Sequence, residues 1–365
     1  MLRVATVCSG IGAPETALRK LDIPYELVFF SEIDKWAIKS YCAINKEDAA
    51  KNIGDLKNFC HKNLTDEIDL LVGGTPCQDF SLAGKGAGGE LGSNTRSSLM
   101  WTYLEMIAVL KPRVVIWENV PAVIFGKHYR NYKNFFFKLQ SLGYKVDAKI
   151  LNAKYFNLPQ NRERLLLVAQ RKDCAVSFSF PTGYDSGIRL KDIMLDGVPP
   201  PARTPPFRLF KISHSNEHRI IQCGVLLGRN FKQGNSVISA EGISECLTTK
   251  TGNWILCRDG KIRPLNAHER FLAMGFSHKD FIACKNAGVP SSELIKQAGN
   301  SIAVTVLMAL FGEIYGVPWK CKVYGKNHKT QRQLLHELPL FRGITNDNNK
   351  SDLQHGLSGR HESDD

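Results

Sequence analysis

The sequence predicts an α/β protein: a mostly parallel sheet with helices on its faces, interrupted late by a smaller, irregular β-rich part. Three observations carry this. Short apolar runs alternate with helical patterns as far as Arg171, the pattern then breaks into proline and glycine clusters, and helical periodicity returns beyond residue 260. Runs at 4–7, 27–30, 68–72, 114–117 and 165–168 have the length and β-branched content of buried strands. Residues 15–21 and 99–110 read as helices, the second stopped at Lys111 by Pro112, whose ring cannot continue one.

From Pro181 to Gly260 the prolines cluster (Pro199 to Pro201, Pro205, Pro206) and no long helical period survives, so this stretch reads as a separate β-rich segment. The expected organisation is therefore 1–180, a second part at 181–260, and a return to the first at 261–320. Asn266 with Glu269 has capping-box spacing, a second helix opens near Ser292, and 301–315 forms an apolar helix stopped by Gly316 and packed back on the main sheet. Residues 343–365, polar throughout and richest in Asn, Asp, Ser and His from 346, are expected to be disordered.

Lys and Arg number 48 against 35 Asp and Glu, a net +13, which favours a polyanionic partner, nucleic acid first. The excess is uneven, +9 over residues 127–172 and +5 over 202–261, although a solvated basic surface gives the same counts. The aromatics of 129–137 read as core rather than as a stacking platform. Ten scattered cysteines show no C-x-x-C and no metal spacing, so no metal is expected and the thiols should be reduced, as in a cytoplasm. The first apolar run ends at Val7 and the longest, 302–311, is short for a bilayer, so no membrane partner is expected.

The first strand runs into Cys8-Ser9-Gly10-Ile11-Gly12-Ala13-Pro14-Glu15, a glycine turn opening a helix. It fails the dinucleotide fingerprint at Glu15, where an acidic group would disfavour a pyrophosphate, and this speaks against a nicotinamide dehydrogenase. Glu32, past the second strand, can accept from ribose hydroxyls, so a nucleoside cofactor without phosphates suits the site. Gly54-Asp55-Leu56 is placed after a third strand, Gly73-Gly74-Thr75-Pro76-Cys77-Gln78 after a fourth, and Glu118-Asn119-Val120 after a fifth. Ligands of open α/β sheets bind outside the carboxyl ends of the strands, so Gly10, Glu32, Asp55, Cys77 and Glu118 should share one edge.

Nine of the cysteines read as small buried apolar residues. Cys77 differs, because the Gly-Gly-Thr-Pro turn holds it at the sheet edge, where a thiol is a nucleophile in want of an electrophile. No histidine is placed to act as its base, which argues against a papain-like hydrolase. An ionised carboxylate beside it would oppose thiolate formation, a conflict that disappears if Glu118 holds a proton when it acts. Residues 80–96, glycine-rich and without a core pattern, read as a lid. In Gln160-Asn161-Arg162-Glu163-Arg164 the alternate spacing sends both arginines to one side.

These residues, in this order, resemble the DNA cytosine-5 methyltransferase family from Thr6 to about Tyr315. The Gly73 to Gln78 stretch looks like its nucleophile motif, with Thr75 where proline is common. Glu118-Asn119-Val120 looks like its acidic motif and Gln160 to Arg164 like its Q-x-R-x-R motif. Arg263 to Phe276 and Gln297 to Ser301 resemble its last two blocks. Departures are Cys8, where many members carry Phe, and Ala13-Pro14-Glu15 after the first turn. The compact single recognition segment is similar to that of phage and restriction-modification members.

The resemblance implies a Rossmann-like catalytic domain, a target-recognition domain at 181–260, and S-adenosyl-L-methionine bound by Ser9, Gly10, Ile11, Gly12, Glu32, Ile33, Asp55, Leu56, Pro76, Asn300 and Ser301. It implies Cys77 adding to C6 of a flipped cytosine, Glu118 assisting at N3, and Arg162 and Arg164 contacting the flipped nucleotide. Double-stranded DNA would be met by Gln78, Ser81, Lys85 and Arg96 in the lid and by Arg229, Lys232, Gln233, Thr248, Thr249 and Lys250 in the recognition segment, where Asn235 also offers a donor. A monomer with a cognate restriction endonuclease as candidate partner completes the expectation. A transfer-RNA cytosine methyltransferase and a catalytically silent DNA-binding protein are the rivals. The recognition segment weighs against the first, and the joint presence of Cys77 and Glu118 against the second.

Overall fold

The computed structural model describes residues 1–59, 67–76, 99–174, 177–210, 220–229, 234–250 and 252–325. Strand β1 (Leu2–Val7) lies between β2 (Tyr25–Ser31) and β3 (Leu70–Gly73), parallel to both, and β4 (Val114–Asn119) is parallel to β3 on its far side. Beyond it come β5 (Tyr144–Asn152), the two-residue β6 (Gln160–Asn161) and β7 (Glu163–Arg171). The main sheet has the order β2-β1-β3-β4-β7-β5, with β7 antiparallel to both its neighbours, so it alone runs against the rest.

Alternate residues of each central strand enter opposite cores, as a pleated sheet covered on both faces requires. Val114 and Ile116 join the layer of α1 (Ala13–Lys20), whereas Val115 and Trp117 join that of α3 (Leu99–Leu110) and α4 (Tyr129–Ser141). Helix α2 (Lys35–Asn45) follows β2, its N-terminus capped by Asp34, which accepts from Trp36 and Ala37. The first layer is completed late in the chain by α5 (Ala267–Ala273), α6 (His278–Asn286), α7 (Ser291–Asn300), α8 (Val304–Tyr315) and α9 (Lys320–Tyr324). Residues 291–315 together have the length and hydropathy of a membrane span, yet 72% of that window is buried inside the fold. They are core helices, and Gly316 ends α8 at φ 67°.

Between α4 and α5 the chain builds a second sheet from β8 (Phe207–Leu209), β9 (Gln222–Leu226), β10 (Ser236–Ser239), β12 (Trp254–Leu256) and β13 (Ile262–Pro264), in the order β13-β12-β10-β9-β8. Its own small core is Cys223, Val237 and Trp254. The short β11 (Ser244–Glu245) leaves this sheet to pair with β6.

Three expectations need correction. No strand precedes Gly54: residues 49–51 form a 3-10 turn capped by Asp48, and the chain joins β2 through the single bridge Phe30–Asn52, because the Asn52 side chain meets the Glu32 backbone in both directions and takes the place of a ladder. Strand β5 was not expected, since only one of its faces is apolar and Lys145, Asp147 and Lys149 on the other are exposed, as suits an edge strand. In α4 Phe135 is core, but Tyr129 and Phe137 are half exposed. The tail at 343–365 and the lid at 80–96 lie outside the described residues.

Candidate active site

The four parallel strands β1 to β4 deliver their carboxyl ends to one edge. At the first, Thr6 Oγ1 lies 2.9 Å from Ser9 Oγ and 2.8 Å from Glu15 Oε1, and the Tyr41 hydroxyl donates to the same carboxylate oxygen at 2.6 Å. Glu15 is fully buried, and burial raises its pKa above the usual glutamate value. It braces the turn from inside instead of facing a ligand, which corrects its sequence-level role of repelling a pyrophosphate.

The Gly10 amide donates to Glu32 Oε2 at 2.8 Å, while Ile33 and Asp34 amides donate to Oε1 at 2.8 and 2.9 Å. Asp55 caps the next short turn through Lys57 N at 3.0 Å. The Cys8 thiol registers both carboxylates: burial, then Glu32, then Asp55 push it up to about 12. Ile33 beside them is 69% exposed, whereas the Leu56 side chain belongs to the core. The cleft bounded by this turn encloses about 400 Å³ including space open to solvent, and its walls include Ser9, Gly10, Pro14, Gly74, Glu118, Asn300 and Ser301.

The opposite wall is fastened strand to strand. Tyr103 OH donates to carbonyls of β3 and β4, at Leu71 and Ile116. Trp117 Nε1 donates to Thr75 Oγ1 at 2.8 Å, and Asn119 Nδ2 to the Thr75 carbonyl at 3.2 Å, so the chain at Gly74 to Pro76 is bound to the end of β4. Cys77 follows directly, and it lies outside the described residues together with Gln78, Ser81, Lys85, Arg96, Lys232 and Gln233. Glu118 is nearly buried, its Oε1 paired with Arg164 Nε at 3.1 Å. Its Oε2 turns to the Gly74 side, where a Cβ on that glycine would stand 3.5 Å away.

Alternate residues from the start of β6 into β7, Gln160, Arg162 and Arg164, tie other stretches of chain to this wall. Gln160 donates to the Ala273 carbonyl at 3.0 Å and accepts from the Leu247 amide at 3.0 Å. Arg162, 3% exposed, donates to the carbonyls of Gly299 (3.2 Å) and Ser301 (2.7 Å) and to Cys246 Sγ (3.1 Å). Burial and then the charge of Arg164 lower its pKa. Arg164 also reaches Cys246 Sγ, at 3.6 Å, on its way to Glu118. Both arginines thus share one side, as their spacing requires, but Arg162 is occupied by backbone and only Arg164 faces the carboxylate.

The second sheet presents Arg229, Thr249 and Lys250 exposed, with Asn235 and Thr248 half-buried. Arg270, wholly buried, holds this segment from beneath through the carbonyls of Thr248 (2.8 Å) and Gly252 (2.9 Å). Cys246 is the residue sequence reasoning missed. Of the described cysteines only Cys223 and Cys284 are buried, Cys174 and Cys321 are exposed, and Cys246 sits between two guanidiniums that no local pattern connects to it.

The profile of the family described as C-5 cytosine-specific DNA methylase matches residues 2–316. Among individual relatives, the orphan methyltransferase M.Rho11sI of Bacillus phage rho11s is 35% identical over 295 residues, 68% of this chain and 58% of its own length. The type II methyltransferase M.HhaI of Haemophilus parahaemolyticus is 29% identical over 323 residues, 84% of this chain and 92% of its own. The chain spans less than two thirds of the first of these. The crystal structure of S. pombe Dnmt2 methyltransferase has the same fold, with a TM-score of 0.62 at 17% identity, covering 87% of this chain and 99% of that one. With the profile running from β1 to the end of α8, and so through every strand end and helix that builds the cleft, the chain belongs to the C-5 cytosine-specific DNA methylase family.

Proposed function

We propose that this chain methylates C5 of a cytosine flipped out of double-stranded DNA, with S-adenosyl-L-methionine as donor. One observation supports this most: Glu118, paired with Arg164, and Gly74, three residues before Cys77 in the chain, stand on the wall of the same cleft as Gly10, Asn300 and Ser301. The residues fit that donor. The Gly10 amide is spent on Glu32, so no phosphate is solicited, and two carboxylates suit ribose hydroxyls and a cationic sulfonium. A Cβ on Gly10, which stands at φ 56°, would meet nothing within 4 Å, so the backbone there is open to a ligand.

When bound, the donor supplies the electrophilic methyl carbon. Cytosine C5 is a weak nucleophile, and Cys77 corrects this by bonding through its thiolate to C6, which moves the ring electron pair to C5. Glu118, holding a proton at this step, donates it in a hydrogen bond to N3 as negative charge develops there, and Arg164 holds the carboxyl in place for it. After C5 is alkylated a base removes its proton, the electron pair left at C5 forms the C5–C6 double bond, Cys77 leaves C6 as thiolate with the carbon–sulfur pair, and aromaticity returns. Flipping costs a few kcal/mol, supplied by contacts to phosphate and base edges from the basic segment of the second sheet. The word orphan in the names of the phage relatives favours an enzyme acting without a cognate endonuclease.

Transfer of labelled methyl from S-adenosyl-L-methionine to duplex DNA tests the reading, with transfer RNA as competitor. The expected result is label in duplex cytosine, reduced about 100-fold or more in Glu118→Gln. Label confined to transfer RNA, or full activity in Glu118→Gln, contradicts it.

A further inference from the structure

We infer that Cys246 is a positioning residue, whose sulfur holds the Arg164 guanidinium against Glu118 and so ties the segment that follows β11 to the reaction centre. The inference rests on the function proposed above and adds a residue to it. Three stretches distant in sequence meet at this sulfur: it accepts from Arg162 Nη1 at 3.1 Å and Arg164 Nη2 at 3.6 Å, and Arg164 Nε reaches Glu118 Oε1 at 3.1 Å.

The two guanidiniums are held unequally. Arg162 keeps the carbonyls of Gly299 and Ser301 whatever stands at 246, whereas the bonds of Arg164 include Glu118, the sulfur and the Glu163 carbonyl beside it in the chain. The sulfur itself is fixed from both sides, since the Leu247 amide donates to Gln160 Oε1 and Asn253 Nδ2 donates to the Cys246 carbonyl at 3.5 Å. Burial pushes the Cys246 thiol up and the charges of Arg162 and Arg164 more than offset it, leaving the pKa below the ordinary thiol value. The sulfur reaches both arginines from the end of a long C–S bond, which a hydroxyl on a shorter bond matches only in part. One residue on from Cys246 and Leu247 begin Thr248, Thr249 and Lys250, so displacement of that segment by DNA moves the sulfur and, with it, the arginine that aims Glu118.

The test compares Cys246→Ala and Cys246→Ser with the parent on duplex DNA, and follows iodoacetamide labelling of the Cys246 peptide against pH in the full chain and in Arg164→Ala. Expected are a fall in kcat of about tenfold for Cys246→Ala with KM for DNA within about twofold, partial recovery in Cys246→Ser, and a labelling midpoint moved to higher pH in Arg164→Ala. Wild-type kcat in Cys246→Ala, or an unmoved labelling midpoint, overturns the inference. The labelling arm decides even where Cys246→Ala does not fold. Glu118→Gln assayed alongside separates the two levels: full activity in it removes the proposed function, whereas its inactivity beside a normal Cys246→Ala removes only the role of Cys246.

Discussion

Arg162 and Arg164 stand two residues apart with different environments, and substitutions should divide accordingly. Arg162→Ala strands the carbonyls of Gly299 and Ser301 in the interior and should cost about 2–4 kcal/mol in urea unfolding. Arg164→Ala leaves no carbonyl of α7 or its exit without a donor and should lower methyl transfer while moving the urea midpoint far less. Equal loss of stability in both would contradict the division. Glu15 gives a pH signature. Its folded pKa is raised, so the native state keeps a proton that the unfolded chain releases, and stability falls as pH rises from the ordinary glutamate value through the folded one. The unfolding free energy of Glu15→Gln should lack this decline, so its difference from the parent grows in favour of the variant as pH rises above the ordinary glutamate value. A difference independent of pH would show that Glu15 is charged in the fold.

Among elements, α7 approaches the segment that follows β11 closely. A Cβ on Gly299 would stand 2.6 Å from the Thr248 carbonyl oxygen, a backbone atom already held by Arg270, so neither side can yield cheaply. Gly299→Ala should therefore weaken DNA methylation several-fold by shifting 247–250, with donor binding measured by calorimetry little changed; unchanged activity would show that the segment adapts. Where an element's cause is local, the sequence showed it. The α5 capping box is read from Asn266 and Glu269 alone, and in the fold both reciprocal bonds form at 2.9 Å. What stayed hidden is set by partners far along the chain: the second employment of Glu269 as the ion-pair partner of Arg263, β5 as an edge strand, the turn that replaces a strand before Gly54, and the position of Cys246 between arginines more than eighty residues earlier. Motif spacing led to Glu118 and the strand ends because a parallel sheet carries every strand exit to one edge by its own geometry.

At the scale of the whole molecule, the net charge of +13 favours a polyanion, whereas the proposed donor is a cation with Glu32 and Asp55 near its turn, so on the function proposed above only DNA binding rests on the basic excess. Affinity for duplex DNA of arbitrary sequence should fall steeply and linearly on a log-log plot against salt, as phosphate contacts release counterions. Donor affinity should change little over the same range, and parallel slopes for the two would refute this separation. The mechanism proposed above requires a sulfur of this chain to become bonded to the pyrimidine ring, and that event can be caught. In duplex DNA carrying 5-fluorocytosine the C5 substituent cannot leave as a proton, so a protein that works as described should remain covalently attached at Cys77 when S-adenosyl-L-methionine is present, and Cys77→Ala should not. A parent protein that methylates ordinary DNA yet never becomes attached to the fluorinated duplex would contradict the account.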